Sequence, residues 1–163
     1  MNVSVRNAKD KTLVNLTKLA AESFSKNLFS PQLAKNISLK INFHYELDAG
    51  GYCDYEFGEP GPPREFTIDI LKTRKKIKMF LVLAHEMVHV KQIAKGEMKD
   101  KYVRSKDEFV TKWFGVDYNE DVSYWDQPWE LEAYGLEYSL VAKFLVEHNQ
   151  FKNLRQKQAD WFA

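Results

Sequence analysis

His85-Glu86-Met87-Val88-His89 sets two imidazoles four residues apart, with a carboxylate directly after the first. On a helix, residues four apart share a face, so both rings can grip one divalent cation while the glutamate reaches water bound to it. Groups of this kind suit hydrolysis by an activated water, with Zn²⁺ held by His85 and His89 and with Glu86 as the proton acceptor. The flanking run Lys78-Met79-Phe80-Leu81-Val82-Leu83-Ala84 before the motif and Val90 after it are apolar on nearly every side, which predicts a helix buried through the middle of the domain. Two imidazoles and a carboxylate among leucines and valines are costly unless bound to something, and a metal ion uses all three.

A catalytic zinc site usually takes three protein ligands and leaves a fourth position to water. The extended pattern with a third histidine six residues beyond the second is excluded, because Lys95 stands there and Gln92 replaces its glycine. His44 falls on the polar side of an alternating stretch and His148 near a helix end, so both are read as exposed histidines. The segment Pro128-Trp129-Glu130-Leu131-Glu132-Ala133-Tyr134-Gly135-Leu136-Glu137 remains, and with the histidine motif it resembles the gluzincin branch of zinc peptidases. In that branch a second helix brings a glutamate to the metal. The resemblance implies Glu130 as third ligand, with Glu137 as the alternative, in a zincin-like metallopeptidase that cleaves peptide bonds. The motif and the run Tyr124-Trp125-Asp126-Gln127-Pro128-Trp129-Glu130-Leu131-Glu132-Ala133 also look like small zincin-like proteins encoded by bacteriophages. Two departures stand out: Tyr134 occupies a position where membrane-bound gluzincins typically carry aspartate, and their spanning helices are absent. Ala133 would let the two helices approach closely, and Tyr134 and Glu137 continue the Glu130 face. A phenol donating to the oxygen that gains charge is expected from Tyr134, with Tyr124 and Tyr118 as the other choices.

The wider chain agrees with this chemistry. At 163 residues and 44% hydrophobic content, one domain over residues 1–163 is expected. The 24 Lys+Arg against 23 Asp+Glu leave a net charge of +1, which gives no general pull toward nucleic acid or an anionic membrane. The basic run Lys72 to Lys78 is read as a solvated face. Cys53 is the only cysteine, so no intrachain disulfide forms, and the thiol is read as a core filler. The amino terminus lacks a secretory apolar stretch and no segment is long enough to span a bilayer, so a cytoplasmic protein is expected, in the host cytoplasm for a phage product. A peptide or protein substrate is expected. The competing reading is a catalytically silent zinc-binding module that acts by binding protein or nucleic acid.

An α+β fold is predicted: a small antiparallel β-meander packed against the buried motif helix and the glutamate-bearing helix. Period-3.6 apolar spacing marks a helix over 9–27, and strict alternation marks a strand over 37–47. Shorter strands are expected at 52–57 and 64–70, the latter at the edge and open to an extended peptide. The motif helix should run from about 72 to 95 and stop at Gly96. Ser105 and Glu108 read as a capping box for a short helix closed by Gly115. Residues 116–127 read as an acidic, aromatic loop that covers the core, Pro128 opens a helix to about 147, and a last amphipathic segment spans 151–162.

Overall fold

The computed structural model describes residues 1–56, 61–103, 108–119 and 121–148. In chain order it contains β1 (Asn2–Arg6), α1 (Lys11–Leu28), α2 (Pro31–Lys35), β2 (Ser38–His44), β3 (Gly51–Tyr55), β4 (Glu65–Leu71), α3 (Lys76–Ala94), β5 (Met98–Val103), β6 (Glu108–Trp113), β7 (Val116–Tyr118), a 3-10 turn at Tyr124–Asp126 and α4 (Pro128–Glu147). The class is α+β, as expected. The amphipathic segment expected at 151–162 lies outside the described residues.

The first sheet has the order β1-β2-β4-β3. β1 and β4 run parallel to β2, and β3 runs antiparallel to β4. Alternation in β2 and β4 buries Leu39, Ile41, Phe43, Phe66, Ile68 and Ile70 beneath the helices. The opposite face stays polar: there Asn42 Nδ2 donates to Asp69 Oδ1 at 2.7 Å, and His44 Nε2 lies 2.9 Å from the same oxygen. The strand expected at 64–70 is therefore not an edge. β4 inserts between β2 and β3, and the edges of the sheet are β1 and β3, with β3 the edge on the side where β4 was expected to be open.

The antiparallel meander is present, but it is β5-β6-β7, from residues 98–118. Residues 105–107 of the helix expected at 105–114 lie outside the described residues, and the rest of that span is β6, because Phe114 and Gly115, with φ of 45° and 89°, turn the chain in a two-residue hairpin between Trp113 and Val116. Positive φ at both central residues gives a turn whose twist matches its strands, so Gly115 serves a hairpin and not a helix end. Part of the expected aromatic loop is strand β7 in the same way.

The α3 helix is the axis of the molecule. Every residue from Leu83 to Ala94 is buried, and the helix stops at Gly96, whose φ is +72°. Phe24 of α1 and Phe80 of α3 both meet the ring of Phe144 on α4, with centroids 6.0 Å and 5.5 Å away. That aromatic contact joins the three long helices above the sheet. On the other side of α3, β3 passes so near that a Cβ on Gly51 would stand 2.5 Å from Val82 Cγ1 and 2.9 Å from the Asp69 carbonyl oxygen. Gly51→Ala is expected to cost about 1–3 kcal/mol by overpacking. Urea unfolding measures this, and an unchanged midpoint would mean that β3 and α3 can separate freely.

Candidate metal centre

His85 and His89 lie one turn apart on α3, and their Nε2 atoms are 3.2 Å from each other. Pro128 starts α4, and one turn into that helix the Glu130 carboxylate reaches both rings, with Oε2 3.1 Å from His85 Nε2 and Oε1 3.3 Å from His89 Nε2. All three residues are buried, and their ligand atoms lie within 4.8 Å of one another. The close approach of α4 is possible because Ala133, fully buried, presents only a methyl group to the interface.

A second layer of side chains sets which ring nitrogens carry protons. Gln92, also fully buried, donates through Nε2 to the Trp129 carbonyl and to Glu132 Oε2, each at 2.9 Å. Both partners are acceptors only, so the Gln92 amide oxygen must face His89, where it receives the Nδ1 proton at 2.8 Å. His85 in turn donates its Nδ1 proton to Glu137 Oε2 at 3.1 Å. With both rings neutral, as metal ligation requires, each Nε2 directs a lone pair toward the Glu130 carboxylate. Three acceptors converge with no donor among them, and such a cluster holds together only around positive charge.

The electrostatics of the cluster make the same demand. Burial pushes the His85 pKa down, but Glu130 and Glu137 outweigh it and raise the value to about 9. Burial also works against ionised Glu130, yet the two imidazoles and the Tyr124 hydroxyl hold its carboxyl well below the usual range. A proton substitutes for a cation here, and the two nitrogens plus carboxylate fit a divalent metal ion.

Glu86 is buried beside the cluster without belonging to it. Burial raises its pKa, opposed by the imidazoles of His89 and His85. Two adjoining lobes of a cleft, about 420 Å³ and about 390 Å³, share Glu86, His85 and Gly51 as lining residues. β3 forms one bank, and the 3-10 turn carries Tyr124 on the other. The Tyr124 hydroxyl donates to Glu130 Oε2 at 2.7 Å and lies 3.3 Å from the Tyr134 hydroxyl. Tyr134 meanwhile stacks edge-on against His85, with centroids 4.6 Å apart.

The structure thus brings together His85, Glu86, His89 and Glu130, with Tyr134 and Glu137 at their margin. Glu137 contacts the far nitrogen of His85 and is outside the metal-capable trio. His44 and His148 lie elsewhere, one on the outer sheet face and one at the end of α4, and Tyr118 packs against Trp129. Trp129 is buried but lines the cleft beside Tyr124 instead of joining the core, and Cys53 lines it too. Gln92 was not foreseen, although a glutamine three residues after His89 on a buried helix is a signal for such a partner. Lys91 completes the dock of α4 on α3, with Nζ 2.6 Å from Glu132 Oε1 and 2.7 Å from Glu97 Oε2.

Comparisons of the chain with family models, with curated proteins and with solved structures gave no match. Metal uptake separates ligands from supports. In competition titrations with zinc and a chelator, Glu137→Leu is expected to weaken binding by about 10–100-fold, as loss of a ligand's orienting partner does, and Glu130→Ala by more. Full occupancy in Glu130→Ala would remove that residue from the centre.

Proposed function

We propose that the chain is a zinc-dependent metallopeptidase of the gluzincin type, which hydrolyses peptide bonds with Glu86 as general base. The observation that carries this reading is the convergence of two imidazole lone pairs and the Glu130 carboxylate at a cleft that Glu86 also lines. Two nitrogens and one carboxylate oxygen are a usual set for catalytic zinc. Bound through His85, His89 and Glu130, Zn²⁺ would supply a Lewis acid and water deprotonated near neutral pH.

The chain's own groups account for the rest. Glu86 accepts a proton from water on a carboxylate oxygen and passes it to the leaving amide nitrogen, and its desolvated carboxylate is a stronger base than one in bulk water. Among the described residues β3 pairs in its sheet only with β4, and the strand lines the cleft, so an extended peptide can add along its other side as a further strand. Tyr124 and Tyr134 bring two phenols to one place, and either can donate to the carbonyl oxygen as it gains negative charge. Tyr124 contacts Glu130 directly, while Tyr134 reaches that carboxylate only through Tyr124. Among the described residues no helix is long and apolar enough to cross a membrane.

Glu86→Gln tests the central claim. Hydrolysis of a peptide library by the zinc-loaded protein should fall by about 10²–10⁴-fold, while zinc content and thermal midpoint stay near those of the parent. A biological effect that persists in this variant would favour a binding module over an enzyme. For the phenols, Tyr124→Phe and Tyr134→Phe are expected to lower kcat with little change in KM, the larger loss, about 10²-fold, falling on the donor to the substrate. Unchanged kcat in both variants would exclude the pair from catalysis.

A further inference from the structure

The larger lobe of the cleft holds a carboxylate that the proposed reaction leaves unused. Asp100 comes from β5, which contributes nothing to the metal centre, and it lines the same 420 Å³ space as His85, Glu86 and Glu130. Its oxygens are held in place: Thr111 Oγ1 donates to Oδ1 at 2.8 Å across the β5–β6 pair, and the Tyr55 hydroxyl donates to Oδ2 at 3.1 Å from β3. Hydroxyls orient a carboxylate without neutralising it. Among the described residues no lysine or arginine lines this lobe, and Glu86 and Glu130 already balance a divalent cation at the histidines. Asp100 is the excess negative charge. Beside it Ile93, Met98 and Trp129 give apolar and aromatic surface of the kind that packs along the methylene stem of a long cationic side chain.

We infer that this lobe receives a lysine or arginine side chain of the substrate, with Asp100 as the residue that selects it. The inference deepens the peptidase reading and rests on it for the nature of the ligand. A carboxylate fixed on both oxygens and facing a cleft gives specificity through the charge it lacks. A purely structural Asp100, one that only pins β5 to β3 and β6, would make ligand charge irrelevant.

Binding decides between the two without turnover. Fluorescence polarisation on the zinc-loaded Glu86→Gln protein would compare short peptides identical except for one position carrying lysine, norleucine or glutamate, that position being walked along the peptide. About tenfold tighter binding of lysine over norleucine at one position, abolished in the Asp100→Asn background while the norleucine peptide keeps its affinity, is the expected result. Equal affinities at every position, a preference that survives Asp100→Asn, or no binding of any peptide would overturn the proposal. If Asp100→Asn fails to fold, the lysine, norleucine and glutamate comparison on the parent background still decides it. Cation-selective binding without hydrolysis by the wild-type protein would sink the peptidase reading alone, and hydrolysis without cation preference would sink only the role of Asp100.

Discussion

Three electron pairs, on His85 Nε2, His89 Nε2 and the Glu130 carboxylate, point into one buried space, and only positive charge there makes the arrangement stable. Much of the fold serves that convergence. α3 is enclosed on all sides over its second half, so the rings cannot turn out to solvent. α4 is held to it by Gln92 and Lys91, which grip the first turn of α4 on either side of Glu130. Gln92 does two jobs with one amide: it satisfies the Trp129 carbonyl, and it fixes the His89 tautomer. Loosening either helix would leave a buried acid and two buried imidazoles without compensation, so the site and the helix packing stand or fall together.

The legible part of the fold is the part with long-period patterning. The buried residues of α1 and α3, and the alternation of β2 and β4, follow from apolar spacing over seven residues or more. The candidate metal site was legible in two ways, since His85, Glu86 and His89 lie within five residues, whereas Glu130 was reached only through the resemblance to gluzincins. Residues 108–118 were misread for identifiable reasons. Ser105 and Glu108 match a capping box locally, and β6 carries exposed Phe109 beside buried Val110, which hides the period of two. Gly115 has the positive φ that either a helix end or a hairpin needs, and only pairing with β7 distinguishes them.

Sheet order was hidden for a different reason. β4 lies between β2 and β3 because β2 pairs in parallel with β4 across the intervening β3, while β1 pairs in parallel with β2 across α1 and α2, and such pairings join residues far apart in sequence. The result matters for the site. With β4 enclosed, the free edge passes to β3, whose first residue, Gly51, lies against Val82 and beside Glu86. A side chain there would fill the space between the sheet edge and the Glu86 carboxylate. The glycine is thus what lets the edge of β3 and Glu86 share one cleft.

The departure at Tyr134 becomes intelligible from helix geometry. Residues 130, 134 and 137 fall on one face of α4 within two turns, so an acid lost at one of these positions can be replaced at the next. At the position where the proposed reading would expect the aspartate of membrane-bound gluzincins, this chain has a tyrosine that stacks on His85 and hydrogen-bonds to Tyr124. The acid that receives the His85 Nδ1 proton is Glu137, one turn further on, with a side chain long enough to reach back. A carboxylate at 134 would add a third negative charge beside Glu130 and Glu137 around a single imidazole. A tyrosine there adds a neutral donor instead, keeping the His85 ring oriented while freeing a phenol to face the cleft.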